Sequence, residues 1–411
     1  MKKVELLAPA GNMEKLKFAI LYGADAVYVG LDGYSLRAGA GNFSVEALSE
    51  AVDYAHVREI KIYAAINIYA KNTDFIGFDS LLEEVVSSGV DALIISDPGI
   101  IKIVKEKHPR MKIHLSTQAN TLNKFAVDFW AGSGIRRITL ARELKLSDIA
   151  LICKEAGIEI EVFIHGAMCI SFSGRCYLSK YMIGRDGNRG DCAHSCRWNY
   201  YLMEEKRPGE YYPVDNDDRG YYFFNSKDLC LAEHIPDLID IGVESFKIEG
   251  RMKSLHYLST VVGVYRVIID RYYETGGSFR FESRWRDELE KVSHRPYTNG
   301  FIFGDGESEL MADSKYIRNY DFLGLVESVD RDRSSVVVDV RNRMRVGDEI
   351  ELLQPGMITS RERLNDILVD GESQKEAHAN QRIELRFEGD VKKGSLIRKR
   401  SEVEHVLEIG R

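Results

Sequence analysis

Ala26-Val-Tyr-Val-Gly30 and Ile62-Tyr-Ala-Ala-Ile66 are two short apolar runs, and the amphipathic stretch Ser44–His56 lies between them. Short apolar runs rich in β-branched or aromatic residues predict buried strands, and Ser44 is a residue type that favours a helix N-terminus. A strand–helix–strand unit joins two parallel strands through a right-handed crossover. This stretch therefore predicts an α/β fold with a parallel sheet.

The same alternation repeats over the first 280 residues. Eight strand candidates occur there, each followed by turn residues and a helical pattern, and they are Val4–Ala8, Ala26–Gly30, Ile62–Ile66, Ala92–Ser96, Lys112–Ser116, Arg137–Ala141, Ile158–Ile164 and Ser245–Ile248. Eight such units match the size of a (β/α)8 barrel of the TIM type, which we predict for residues 1–280. A doubly wound open sheet is the alternative, because eight strands alone do not establish closure.

One connection in the predicted barrel is much longer than the others. Residues 166–244 separate the seventh strand from the eighth, and they contain five of the six cysteines and the tyrosine-rich stretch 200–222. Long connections in compact domains are usually either functional or disordered. The cysteines favour a functional insertion.

The pattern changes after residue 280. We predict a linker or helical segment over residues 281–320 and a small β-barrel-like domain over residues 321–411. The strand candidates of this domain are separated by turn signals, and they are Leu323–Val329, Ser335–Val340, Glu349–Leu353, Arg382–Arg386 and Leu396–Lys399.

Composition and charge narrow the class of protein. The chain has 411 residues, of which 44% are hydrophobic and 29% charged, and its net charge is −8. These values are typical of a globular protein and exclude a global basic field, although a local basic patch is sufficient to bind RNA. Met1-Lys2-Lys3 leads directly into a predicted strand without a signal-peptide pattern, and no apolar run is long enough to span a bilayer. We therefore expect a cytoplasmic protein that does not contact a membrane.

The clustered cysteines are the strongest chemical signal. Cys169 and Cys176 flank a turn, Cys192 and Cys196 are four residues apart, and Cys230 precedes the last barrel strand. Cytoplasmic thiols stay reduced, so such a cluster indicates metal binding rather than disulfides. A [4Fe–4S] cluster needs four thiolates at variable spacing, whereas structural zinc prefers paired Cys-x2–4-Cys motifs. Only Cys192 and Cys196 have that spacing, and spacing alone leaves both metals open.

Polar residues follow most of the strand candidates, at the end of the barrel where active sites lie. His165 ends the seventh strand and is expected to face both the barrel mouth and the cysteines, or else to serve a hydrogen-bonded structural role. Glu249 and Arg251 follow the eighth strand and either pair with each other or bind an anionic substrate, since arginine matches carboxylates and phosphates. His165, Glu249 and Arg251 are the predicted catalytic residues. The other candidates at this end are Asn67, Gln118, Arg142 and Lys247.

Basic and aromatic residues surround the cysteines. Cationic side chains suit the RNA backbone and aromatic rings stack on unpaired bases, so this segment predicts RNA contacts, with a solvated cationic surface as the alternative. The basic members are Arg175, Lys180, Arg185, Arg189 and Arg197, and the aromatic members are Tyr177, Tyr181, Trp198, Tyr200 and Tyr201.

The stretch Glu161-Val-Phe-Ile-His-Gly-Ala-Met-Cys169, continued to Ser179, resembles the signature of the collagenase-like peptidase family of unassigned mechanism, the U-type family. Further stretches that fit the family cover most of the chain, and they are Leu7–Gly11, Gly23–Gly30, Ser116–Asn120, Arg189–Cys196 and Phe246–Arg251. In motif density and in its C-terminal β domain, the chain is most similar to the branch that hydroxylates tRNA.

This resemblance implies an oxygen-independent hydroxylation of the wobble uridine of tRNA to 5-hydroxyuridine, with prephenate as the hydroxyl donor. Sister branches act on ribosomal RNA cytidine or on the ubiquinone ring, and these substrates are the alternatives. The ligand pattern of the ubiquinone branch transfers to Cys169, Cys176, Cys192 and Cys230 as ligands of a [4Fe–4S] cluster, with Cys196 as the alternative to Cys192. The expected partners are tRNA and prephenate or a similar dicarboxylate. A partner subunit or a homo-oligomer is a further expectation.

Two other functions stay open at this point. A collagenase-like peptidase would need a thiol–imidazole pair, for which Cys169 with His165 or His194 is the only source. The sequence contains neither a His-Glu-x-x-His zinc helix nor a Gly-x-Ser-x-Gly elbow. The third alternative is a metal-stabilised RNA-binding factor without enzymatic activity.

Overall fold

The computed structural model describes residues 3–35, 41–169, 171–198, 227–304, 316–332, 334–387 and 389–401, together with four two-residue strands between residues 202 and 221. The chain forms two compact units. The first contains Met1–Ile20, Ala24–Lys253 and Arg295–Ser314, and the second contains Leu21–Gly23, Ser254–His294 and Lys315–Arg411. No helix in the described ranges has both the length and the apolar composition that a membrane crossing requires.

The first unit is a closed parallel barrel. Its eight strands, numbered along the whole chain, are β1 (Glu5–Ala10), β2 (Ala26–Gly30), β3 (Lys61–Ile66), β4 (Ala92–Ile95), β5 (Ile113–Leu115), β6 (Arg137–Thr139), β7 (Glu159–Ala167) and β13 (Ser245–Ile248). Each strand runs parallel to the next, and β13 pairs with β1 on one side and with β7 on the other. The predicted (β/α)8 barrel is therefore confirmed, and the open sheet is excluded.

Six helices follow the first six strands and cover the outside of the barrel. They are α1 (Met13–Leu21), α2 (Val45–His56), α3 (Phe78–Ser87), α4 (Pro98–Lys107), α5 (Lys124–Gly132) and α6 (Leu146–Glu155). Side-chain caps fix the starts of three of them, because Ser44, Asp97 and Asn123 each accept a backbone N–H from the first turn. The caps therefore fix the ends of the loops that precede α2, α4 and α5.

The insertion after β7 contains the helix α7 (Leu178–Ile183) and returns to the barrel through a strand. Its short elements are β8 (Leu202–Met203), β9 (Tyr211–Tyr212), β10 (Asn216–Asp217), β11 (Gly220–Tyr221), β12 (Asp228–Cys230) and α8 (Ile235–Asp240). The strand β12 runs antiparallel to the end of β7, and β14 (Tyr297–Thr298) runs parallel to β12. Tyr200, Tyr201 and most of the tyrosine-rich stretch lie outside the described residues.

The second unit combines two helices with an antiparallel sheet. The helices are α9 (Leu255–Thr275) and α10 (Ser283–Leu289), and the sheet strands are β15 (Tyr320–Asp330), β16 (Ser335–Val340), β18 (Glu349–Gln354), β19 (Ile358–Arg363), β20 (Ile367–Val369), β21 (Glu372–Gln374), β23 (Arg382–Arg386) and β24 (Leu396–Arg400). A separate pair is formed by β17 (Met344–Arg345) and β22 (Glu376–Ala377). The antiparallel β strands of the C-terminal region agree with the prediction. Residues 1–280 were predicted to form the barrel, whereas α9, which follows the last barrel strand, belongs to the second unit.

Buried charges occupy the barrel interior. Arg137 on β6 donates to Glu5 on β1, a strand that is not its neighbour, and to Glu161 on β7 at 3.3 Å. Lys247 on β13 donates to the other oxygen of Glu161 at 2.9 Å. Burial would raise the pKa of the Glu161 carboxyl, but the charges of Lys247 and Arg137 outweigh burial and lower it to about 2. Glu161 is therefore an anion that ties β6, β7 and β13 together.

A second ion pair attaches the insertion to a barrel loop. Arg189 donates two hydrogen bonds of 2.7 Å to the carboxylate of Asp74, in the loop after β3, and a third to the Tyr69 carbonyl at 3.1 Å. The hydrogen bonds from Arg189 lower the pKa of Asp74 to about 2. Because bidentate arginine–carboxylate pairs fix orientation as well as distance, this contact sets the position of residues 186–190.

Replacing Glu161 by glutamine should cost about 3–5 kcal/mol of unfolding free energy, since it leaves two buried cations without their shared anion. Urea denaturation followed by circular dichroism measures the loss. The matched control is Glu159→Gln, because Glu159 also pairs with Arg137 but its side chain is 33% exposed. Equal losses in the two variants would contradict the role assigned to Glu161.

The Asp74–Arg189 pair should make the insertion sensitive to acid. The folded pKa of Asp74 lies below its ordinary value, so the pair contributes stability above about pH 4 and loses it as the pH falls toward 2. Hydrogen exchange of residues 186–191 should therefore be faster in Asp74→Asn than in the wild type at pH 7, with the difference shrinking below pH 4. Asp79→Asn, which removes a carboxylate that is 62% exposed, is the control. A difference that stays constant down to pH 2 would refute this account.

Candidate active site at the barrel mouth

A small open cavity lies at the carboxyl ends of the barrel strands. Its lining residues come from seven strands or the loops after them, and they are Tyr28, Ala65, Asn67, Ile94, Ser116, Thr117, Gln118, Arg142, Phe163, Lys247, Glu249 and Arg251. The structure thus brings together all of the predicted residues at this end except His165. A cavity at this end of the barrel is where enzymes of this architecture carry their chemistry.

Lys247 forms the floor of the cavity. The strand β13 alternates its side chains, and the 2.9 Å bond to Glu161 shows that Lys247 points inward. Its ammonium group lies 4.9 Å from the centre of the Tyr28 ring and 5.4 Å from that of Phe163. Lys247 is only 4% exposed. Its side chain contacts Glu161 in the barrel interior and also lines the cavity.

Arg251 enters the cavity where the backbone of β2 leaves room for it. A Cβ atom on Gly30 would lie 1.6 Å from Arg251 Nη1, so only glycine permits this position of the guanidinium. Arg251 donates to Ser35 Oγ at 2.5 Å, and its carbonyl accepts from Lys15 Nζ at 3.1 Å. The side chain is 3% exposed and therefore rigid, which suits a group that orients an anion.

Glu249 is the carboxylate of the cavity. The Tyr28 hydroxyl donates to the Ile248 carbonyl at 3.0 Å and lies 3.4 Å from Glu249 Oε2. The backbone of Glu249 packs against Gly166 on β7, where a Cβ atom would lie 2.5 Å from the Glu249 carbonyl and where φ is +112°. Glycine at position 166 thus lets β7 approach the end of β13 and sets the height of Glu249 in the cavity.

Arg142 and the amides complete the polar lining. Arg142 donates to the Ala167 carbonyl at 2.7 Å, and its guanidinium lies 4.3 Å from the centre of the Phe163 ring. The Gln118 side chain accepts a hydrogen bond from Ser116 and lies 3.5 Å from the Asn67 amide nitrogen. Three cations and one carboxylate therefore surround a small volume, and Glu161 neutralises one of the cations from below.

His165 lies beside the cavity rather than in its lining. It is 1% exposed, pairs with Cys230 across the β7–β12 ladder, and its ring centre is 5.3 Å from that of Tyr297. The register of β13 against β7 shifts between Lys247 and Ile248, beside His165. His165 is thus next to Cys230, one of the predicted ligands, but is not among the residues that line the cavity, and its catalytic role stays a prediction.

The predicted cluster ligands lie in different environments. Cys169 is exposed just beyond β7, Cys176 and Cys192 are half-buried, and Cys230 is 1% exposed on β12. The Cys176 amide donates to Asn188 Oδ1 at 3.1 Å, and a Cβ atom on Gly187 would lie 3.5 Å from Cys192 Sγ. The turn at residues 187–188 thus contacts both Cys176 and Cys192.

Two of the cysteines each accept a backbone hydrogen bond. Cys176 Sγ accepts from the Leu178 amide and Cys192 Sγ from the His194 amide, each at 3.4 Å. Hydrogen bonds to sulfur also occur around iron–sulfur clusters. Within the described residues, no group of three or more Cys, His, Asp or Glu side chains is arranged to hold a metal ion. The set of four cysteine ligands therefore stays a prediction.

The basic residues near the cysteines are largely neutralised by local carboxylates. Lys180 pairs with Asp186 at 3.0 Å and Arg185 with Asp191 at 2.7 Å, in addition to the pair made by Arg189. The aromatic members Tyr177 and Tyr181 are 63% and 77% exposed. The side chains of Arg197, Tyr200 and Tyr201 lie outside what the structure describes. Exposed rings rather than unpaired charge thus dominate this surface.

The strand sequences alone did not single out Tyr28 and Phe163 as cavity residues. Both lie within apolar runs, where an aromatic residue is usually part of the core. The available signal was alternation, since Tyr28 and Gly30, like Glu161 and Phe163, are two positions apart in a strand and therefore share a face. Gly30 approaches Arg251, and Glu161 binds Lys247. Tyr28 and Phe163 therefore lie on the faces of β2 and β7 that point toward the cavity.

Comparison with known proteins places the chain among its relatives. It is 42% identical over 356 residues to tRNA hydroxylation protein P1 of Bacillus subtilis, which covers 86% of this chain and 84% of that protein. It is 37% identical over 400 residues to tRNA hydroxylation protein P of Escherichia coli, with 86% and 87% covered. The 23S rRNA 5-hydroxycytidine C2501 synthase of Escherichia coli is 35% identical over 306 residues, which cover 73% of this chain and 45% of that protein.

Family models match both units of the chain. The model described as peptidase family U32 matches residues 11–312, and the model of the C-terminal domain of the same family matches residues 318–398. The first match contains the barrel strands β2 to β13 and all six cysteines. The chain belongs to peptidase family U32.

Proposed function

We propose that this protein is a tRNA-modifying enzyme that hydroxylates the wobble uridine at C5 to give 5-hydroxyuridine. The similarity to two proteins named for tRNA hydroxylation supports tRNA as the substrate. The proposal includes prephenate as the hydroxyl donor, so that molecular oxygen is not required. It also includes a [4Fe–4S] cluster on Cys169, Cys176, Cys192 and Cys230.

One observation carries the proposal, namely the shared wall between the cavity and the cysteine segment. We call residues 168–198 the cysteine segment. Gln118 lines the cavity, and its carbonyl oxygen accepts a hydrogen bond of 2.9 Å from Nε of Arg175, the residue before Cys176. A group bound in the cavity would therefore lie next to the segment that supplies the predicted cluster ligands.

The charge of the cavity supports a small anion as the second substrate. Arg142 and Arg251 exceed the single carboxylate Glu249 in the lining, while Glu161 neutralises Lys247. Arginine binds carboxylates through paired donors, and such bonds are strengthened where water is excluded. Prephenate carries two carboxylates and fits this chemistry. In this proposal Arg142 and Arg251 bind the donor, and Glu249 with the Tyr28 hydroxyl orients it.

Peptide hydrolysis has less support from the same cavity. A cysteine peptidase needs a thiol and an imidazole within hydrogen-bond reach of the bound substrate. Among the described residues, those that line the cavity include neither cysteine nor histidine. His165, which was one source of the imidazole, is buried against Tyr297.

Total tRNA from a strain that lacks this gene should contain no 5-hydroxyuridine or its derivatives, as measured by nucleoside mass spectrometry. The wild-type gene should restore the modification. An Arg142→Gln gene should restore it at a rate at least about tenfold lower, because one charge-assisted hydrogen bond in the cavity is worth about 1.5–3 kcal/mol. Arg136→Gln, an exposed arginine at the start of β6, is the matched control and should behave as the wild type.

The same experiment separates the alternatives. An unchanged tRNA profile would refute the proposed substrate and direct the next measurement to 5-hydroxycytidine in ribosomal RNA and to quinones. Wild-type activity of Arg142→Gln would show that the cavity does not hold the hydroxyl donor. Tight tRNA binding without a nucleoside change would favour the RNA-binding factor.

Replacing Cys169 or Cys176 by alanine should remove both bound iron and activity. Iron per chain in protein purified without oxygen, together with the visible absorbance of the cluster, measures the first effect. The control is Cys153→Ala, because burial raises the pKa of the Cys153 thiol to about 12 and makes it a poor ligand. Iron content equal to that of the wild type in both variants would refute the ligand assignment.

A further inference from the structure

A second cleft lies on the other side of the wall formed by Gln118. Two tyrosines and four cations line it, together with the carboxylate of Asp186. The residues that matter are Tyr69, Lys71, Arg175, Tyr177, Lys180 and Arg189. We call this space the outer cleft. It is formed by the loop after β3 and the cysteine segment, which the Asp74–Arg189 pair holds together.

The aromatic rings of the outer cleft differ in exposure. Tyr69 is half-buried, and its hydroxyl lies 3.0 Å from Arg175 Nε and 3.3 Å from the Gln118 carbonyl. Tyr177 is 63% exposed, at the start of α7, with the Lys180 ammonium 5.8 Å from its ring centre. A large exposed ring beside a cation is a platform on which a planar base can stack.

The cations of the outer cleft divide into two pairs. Arg189 and Lys180 form ion pairs with Asp74 and Asp186, so their charges are satisfied within the protein. Arg175 instead donates to neutral oxygens, and Lys71 is exposed at the edge of the cleft. Arg175 therefore contributes the positive charge that a phosphodiester would require, and Lys71 adds to it from a position where it shares the carboxylate of Asp74 with Arg189.

We propose that the outer cleft binds a nucleotide next to the one that is modified, with its base stacked on Tyr177 and its phosphate held by Lys71 and Arg175. This inference rests on the proposed function and adds a binding site to it. Arg175 and Tyr69 of the outer cleft both contact the Gln118 carbonyl, so the outer cleft lies next to the cavity at which the proposed reaction takes place. The site takes an unpaired nucleotide, because stacking on Tyr177 needs a base that is free of its helix.

Binding of a fluorescent anticodon stem–loop RNA to the full chain, followed by anisotropy, tests the site without relying on activity. Tyr177→Ala should raise Kd about tenfold, which corresponds to about 1.4 kcal/mol for one lost stacking contact. Tyr177→Phe keeps the ring and should bind as the wild type. Tyr181→Ala is the matched control, since Tyr181 is an equally exposed tyrosine of α7 outside the cleft.

The phosphate contact has its own signature. Lys71→Ala should reduce the slope of log K against log salt concentration by about 0.7, the value for one phosphate of a single strand. Thermal unfolding of each variant should match the wild type, because both side chains are exposed.

Two results would overturn the inference. One is wild-type affinity of Tyr177→Ala, and the other is an equal loss in Tyr181→Ala, which would reveal only a general contribution of exposed rings. Failure of the outer cleft and failure of the proposed function give different results. If gene deletion leaves tRNA nucleosides unchanged while Tyr177→Ala still weakens RNA binding, the hydroxylation fails and the outer cleft stands. If deletion removes 5-hydroxyuridine and Tyr177→Ala binds normally, the outer cleft fails alone.

Discussion

The buried ion pair between Glu161 and Lys247 is the contact on which both the barrel and its cavity depend. It joins β7 to β13, where the barrel closes, and Arg137 extends it to β6 and β1. A buried ion pair needs further hydrogen bonds to offset the loss of water, and Thr139 and Ser245 supply them to the two oxygens of Glu161. Since Lys247 is also the cavity floor, the geometry of the site is set by the same interaction that closes the fold.

Most of the barrel could be predicted from the sequence because each strand is buried along its whole length. The run Ser245–Ile248 begins and ends as predicted, and the other strands differ by at most a few residues. The strands β19 and β21 were missed because their residues are mainly exposed and polar, so no apolar alternation marks them. The helix α9 was placed with the barrel, and periodicity could not reveal its membership of the second unit because it is buried nearly all round.

The lining of the cavity could be predicted in part from the positions of residues along the chain. Residues that directly follow parallel strands meet at one end of a barrel whatever their sequence separation, so Asn67, Gln118, Arg142, Glu249 and Arg251 were found by position alone. Position alone could not predict that His165 is absent from the cavity lining, because the strand pattern does not reveal the register shift between β13 and β7 beside it. The insertion was recognised by its cysteines, but its attachment through Asp74 joins residues 115 positions apart and leaves no local pattern.

The close approach of Arg251 to Gly30 couples two positions that are far apart in the chain. Because a Cβ atom at position 30 would overlap Nη1 of Arg251, the two residues constrain each other during evolution. A lineage that retains the arginine must retain the glycine, whereas loss of the arginine releases position 30 to larger residues. The pair is thus a sequence-level marker of the cavity. Members of the family that carry both residues are expected to share this position of the guanidinium, and those with neither are expected to have a cavity of different shape.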